Sequence, residues 1–132
     1  MITRTDLRKT AREYLQSAEI LQASRKYDVA VYLCGYAVEI ALKDRICRTL
    51  KWPGFPATSG EFSNYRSFQT HNLETLLHLT IIENRVKAVV GLDWSLVTKW
   101  TPEQRYHPRG TNSMTDADKM INATKSVLKV IL

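Results

Sequence analysis

The stretch Asp28-Val-Ala-Val-Tyr-Leu-Cys-Gly-Tyr-Ala-Val-Glu39-Ile-Ala-Leu-Lys43 is the part of the chain whose reading decides the fold. From about Asp28 to Lys51 there is no proline and only one glycine, Gly35, and between Val29 and Val38 the residues are apolar almost all round the helical wheel. A helix of that kind is central and buried on several sides, whereas a surface helix carries a single apolar stripe. Gly35 lowers helix propensity by roughly 1 kcal/mol against alanine, so its expected role is close packing against a neighbouring helix. Cys34 and Cys47 both fall in this helix, about 13 residues and roughly 20 Å apart along its axis. They are too distant to bridge each other and read as reduced core thiols.

Upstream, Leu7, Ala11, Tyr14, Ala18 and Leu21 follow three-and-four spacing and predict an amphipathic helix from Thr5 to about Ser24, with Thr3 or Thr5 as its cap. Downstream, Trp52 to Gln69 combines two prolines and two glycines with Trp52, Phe55, Phe62, Tyr65 and Phe68. A loop this long is either functional or pinned over the core by its aromatic side chains. Thr70 is expected to cap a short helix from His71 to about Thr80, with Leu73, Leu76, Leu77 and Leu79 on its apolar face. Ile81 to Trp100 is helical in pattern but interrupted at Gly91-Leu92-Asp93. A second loop spans Pro102 and Tyr106 to Asn112. The last helix opens at Thr115 or Asp116 and carries Ala117, Met120 or Ile121, Thr124, Val127 or Leu128, and Ile131 on one stripe. The reading is all-α, an up-and-down bundle of about four to five helices with no convincing strand. Its 132 residues form one expected domain, 1–132.

No apolar run approaches the roughly 20 residues needed to span a bilayer, and no signal-peptide pattern is visible. The expectation is a soluble, cytoplasmic protein without membrane contact. The formal net charge of +6 suits a polyanionic partner. Arg4, Arg8 and Arg12 recur every four residues with Lys9 beside them, which makes them the candidate nucleic-acid-binding face; the alternative is a solvated stripe. They stand in the first turns of a helix, where the dipole disfavours cations.

The three histidines and two cysteines predict no metal site. His71 and His78 stand roughly 10 Å apart on one helix, and Cys-x-x-Cys and His-Glu-x-x-His are absent. Without a Walker loop or Gly-x-Gly-x-x-Gly, no cofactor is expected. What stands out is charge where burial is predicted. Glu39 lies between Val38 and Ile40, with Lys43 one turn on. A buried Glu39 needs a strong partner, for which Arg105 is the candidate. Arg105-Tyr106-His107 also gathers guanidinium, phenol and imidazole at a helix end, a group able to hold a phosphate.

The second helix with Glu39 and Lys43, the segment Thr70-His71-Asn72-Leu73-Glu-Thr-Leu76-Leu77, and the Arg105-Tyr106 pair before a final amphipathic helix together resemble the HEPN family. The resemblance implies a bundle of four or five helices, commonly a homodimer. It also implies a place beside a minimal nucleotidyltransferase in prokaryotic toxin–antitoxin pairs and, for many members, metal-independent endoribonuclease activity. Catalytic members carry Arg, four to six residues, then His in a late helix, and two such pairs meet at a dimer interface. Here the one Arg-x4-His match is Arg66 to His71, before the third helix, and the late spacing Arg105-Tyr106-His107 is too short. The first reading is therefore a module that binds nucleotide, RNA or a partner protein through Arg105, Tyr106, His107, Glu39 and Lys43. The second is an endoribonuclease toxin using Arg66 with His71 or Arg105 with His107, and the third a structural dimerising partner.

Overall fold

A computed structural model describes all 132 residues, and it contains five α-helices. Helix α1 (Arg4–Ala23) starts where the Thr3 side chain accepts the Asp6 N–H. Three residues, among them Arg25 in left-handed backbone, reverse the chain into α2 (Tyr27–Leu50). The second reversal is at Lys51, also left-handed, where the Trp52 N–H donates to the Cys47 carbonyl at 2.8 Å and closes the helix end.

As its composition requires, α2 is the axis of the bundle, packing against α1, α3 and α5. Its two cysteines are buried and free. Gly35 does admit a close neighbour, but that neighbour is the Trp100 indole beyond the fourth helix rather than another helix: a Cβ at residue 35 would run into the ring.

The loop from Trp52 is pinned over the core. Phe55 and Phe62 are buried, and Trp52 packs on Phe55, Tyr65 and Phe68. The loop also holds the one departure from an all-helical chain, a two-residue strand β2 (Gly54–Phe55) paired antiparallel with β1 (Ile2–Thr3). Helix α3 (Leu73–Leu79) begins two residues later than the sequence predicts. Asn72, not Thr70, is the cap and accepts the Thr75 N–H at 2.9 Å, while the Thr70 hydroxyl accepts the Asn72 N–H instead. Helix α4 (Glu83–Val97) loses helical geometry at Val90, directly before the expected break at Gly91. Helix α5 (Met114–Ile131) opens at Ser113, whose capping box with Asp116 satisfies two end donors; Asp116 is the third helical residue rather than the cap.

One cluster of 28 buried side chains draws on all five helices. No helix is long and apolar enough to cross a membrane.

Candidate functional site: a cleft between His71 and Arg105

Glu39 lies on α2 with only 3% of its surface exposed, so its carboxylate must be answered by neighbouring charge or hydrogen-bond donors. Lys43, one turn along, donates to one oxygen at 3.2 Å, and the Nδ1 of His71 meets the other at 2.8 Å. The partner is thus His71 and not Arg105, which makes no hydrogen bond or ion pair with Glu39. The Lys43 ammonium also stands 5.4 Å over the Phe55 ring, tying the pinned loop to the same group.

A carboxylate only accepts hydrogen bonds, so His71 presents Nδ1–H to Glu39, and its Nε2 is the ring nitrogen left for a ligand. The His71 side chain is 62% exposed, and the turn into α3 holds its backbone. Across from it, Pro102–Tyr106 forms a 3-10 turn with Pro102 in its first position. There the Arg105 guanidinium donates to the Pro102 carbonyl at 3.2 Å and lies 4.6 Å over the Tyr106 ring. The Tyr106 and Tyr32 hydroxyls push its pKa further up, so the charge is permanent.

His71 and Arg105 line the same cleft of about 380 Å³, with Glu74, Trp100, Pro102 and Glu103. Its carboxylates are not equivalent. Glu74 is already engaged by the Trp94 indole N–H at 2.6 Å and by Lys87 at 3.2 Å, whereas Glu103 is exposed and unpaired. Trp100 forms a wall that is itself fixed, 3% exposed in the notch over Gly35 and edge-on to Tyr36 at 4.9 Å.

Only one member of each predicted Arg–His pair lines this cleft. Arg66 is exposed on its own 3-10 turn, and His107 is exposed with its backbone N–H on the Gln104 carbonyl. Tyr106 is 75% exposed beneath Arg105. The juxtaposition of His71 with Arg105 crosses 34 residues and has no sequence signature; the one available hint was a buried Glu39 in need of a donor.

The basic stripe has a local cause that the sequence reading missed. Asp44, 2% exposed on α2, receives Arg4 at 2.9 Å and Arg8 at 3.4 Å. A buried carboxylate outweighs the unfavourable helix dipole for these two arginines. Lys9 and Arg12 have no ion-pair partner and stay on the surface of α1; Arg12 faces Lys125 and Lys129 across a groove to α5. No three His, Cys, Asp or Glu side chains gather at one point.

The family model described as the HEPN domain matches residues 5–52. Over these residues the chain is similar to the HEPN domain. The match covers α1, α2 and the reversal between them, including Glu39, Lys43 and Asp44. His71 and Arg105 lie beyond the matched residues and reach the matched helices only through the fold. No curated protein and no solved structure matches the chain.

Proposed function

We propose that this protein binds a phosphate-bearing ligand, a nucleotide or single-stranded RNA, in the cleft between His71 and Arg105. The observation that carries the proposal is that the two side chains line one cleft, with His71 held from behind by buried Glu39 at 2.8 Å. Arg105 offers a planar fork to two phosphate oxygens, and Nε2 of His71 meets a third or a neighbouring hydroxyl. Exposed Tyr106 gives a nucleobase a face to stack on. The excess of positive charge steers a polyanion toward the molecule. Binding of a labelled RNA oligonucleotide should weaken steeply as salt rises; an affinity that is the same at low and high salt argues against phosphate contacts.

A second reading, a metal-independent endoribonuclease, is favoured by the Glu39–His71 pair. A carboxylate behind Nδ1 fixes the tautomer in which Nε2 is a base and supports the imidazolium once a proton arrives. In that chemistry the 2′-oxygen forms a bond to phosphorus as its proton passes to Nε2. The bond to the 5′-oxygen breaks, and that oxygen takes up a proton as it leaves. Arg105 faces the charge that develops on the phosphorus oxygens. Cleavage of RNA in chelator-treated protein, abolished by His71→Ala with the fold intact, supports this reading; binding without cleavage returns the first. The proposal includes the surroundings that the HEPN resemblance implies, a homodimer working beside a minimal nucleotidyltransferase in a toxin–antitoxin pair. Co-purification with such an enzyme tests that part.

A further inference from the structure

At the end of the bundle where α5 stops, arginines from two helices converge, Arg45 and Arg48 from α2 and Arg85 from α4. Arg45, on α2, is nine-tenths buried. One of its terminal nitrogens donates to the Ile131 carbonyl at 3.4 Å, and its Nε is buried with no partner. Arg85, from α4, reaches the neighbouring Val130 carbonyl at 3.5 Å. Arg48 is exposed one turn beyond Arg45, and its side chain makes no hydrogen bond or ion pair. Burial holds the Arg45 pKa below the usual guanidinium value, and the charges of Arg48 and Arg85 act in the same direction against that of Asp44. Asp44 is already shared by Arg4 and Arg8.

Capping of α5 explains part of this arrangement, because cations belong at a helix C-terminus. It accounts for one long contact from Arg45 and one from Arg85. It leaves the buried Nε of Arg45, most of the donors of Arg85 and the whole of Arg48 without a use. A guanidinium carries five N–H donors, and several of them around one point match an anion with oxygens on several sides and more than one charge.

We propose that Arg45, Arg48 and Arg85 form a second oxyanion site, specific for phosphate groups and separate from the cleft of His71 and Arg105. Two sources offer that chemistry, a free phosphate or pyrophosphate and the backbone of a nucleic acid that also occupies the cleft.

The test titrates inorganic pyrophosphate into the full chain at constant ionic strength, with calorimetry and the melting temperature as readouts. Arg48 and Arg85 are exposed, so the double variant Arg48→Ala, Arg85→Ala should keep the fold, checked by circular dichroism. In the Arg105→Ala background, where the phosphate contact of the cleft is removed, loss of charge-assisted hydrogen bonds from two guanidiniums should weaken pyrophosphate by about tenfold or more. Pyrophosphate that fails to bind at millimolar concentration, or that is lost in Arg105→Ala and kept in the double variant, overturns the proposal. In the Arg105→Ala background, displacement of pyrophosphate by a short single-stranded RNA assigns the site to a nucleic-acid backbone, and absence of displacement assigns it to a free phosphate.

Discussion

A carboxylate that is 3% exposed inside an apolar helix is stable only with partners on both oxygens, and Glu39 has Lys43 on one and His71 on the other. Glu39→Gln keeps the shape but turns an amide N–H₂ toward one of two donors. The expected cost is about 1–3 kcal/mol in urea unfolding, together with weaker ligand binding because His71 loses its hold. The burial of Glu39 and its spacing to Lys43 are legible in the sequence, since both follow from the period of one helix. The identity of the second partner is not. Arg105 and His71 line the same cleft, and which of them reaches the carboxylate is decided by packing between segments 32 or more residues away. Gly35 shows the same division. Its need for a close neighbour is readable, but the neighbour, Trp100, is not. Gly35→Ala forces a methyl group against that indole. It is expected to destabilise by about 1–3 kcal/mol and to shift tryptophan emission as the ring moves.

Element boundaries follow from end groups, where two good caps in succession compete. Thr70 and Asn72 both suit a helix start. Asn72 caps α3 because the Thr70 hydroxyl is occupied one turn earlier, so Asn72→Ala should cost about 1 kcal/mol and Thr70→Val less. Lys51 ends α2 in left-handed backbone, at φ 57°, which a lysine adopts only at a cost. Lys51→Gly is therefore expected to stabilise by about 0.5–1 kcal/mol in thermal unfolding. The loop that follows the Arg105 turn is held by Asp28 at the start of α2. Its carboxylate accepts the Gly110 N–H at 2.7 Å and the Asn112 N–H at 2.8 Å. Partial burial pushes its pKa up, but the hydrogen bonds from Asn112 and Gly110 outweigh this and hold it below the usual carboxylate range. A folded pKa below the unfolded one gives stability that is complete above about pH 4 and is lost as pH falls through the lowered folded value. The protection of the Gly110 and Asn112 amides against exchange, relative to their intrinsic rates, should thus fall in that acid range, and in Asp28→Ala it should already be low at neutral pH.

On the scale of the whole molecule, the hydrophobic pattern of α2 and the stripes of α1 and α5 were enough to read a helical bundle, because burial periodicity is a local property of the chain. The two-residue strand pair was not readable, since it depends on where the pinned loop meets the start of the chain. The HEPN match likewise ends at residue 52, so the helices that carry it supply Glu39, and the turns before α3 and after α4 supply His71 and Arg105. The cleft is therefore a property of the assembled bundle. The most direct test of this account measures binding of a labelled single-stranded RNA to chelator-treated protein, in the wild type and in His71→Ala, Arg105→Ala, Arg66→Ala and His107→Ala. Affinity is expected to fall by about tenfold or more in Arg105→Ala, with a smaller loss in His71→Ala, and to hold in Arg66→Ala and His107→Ala. Affinity that survives Arg105→Ala, or that is lost in Arg66→Ala or His107→Ala, would contradict the assignment of the site to this cleft.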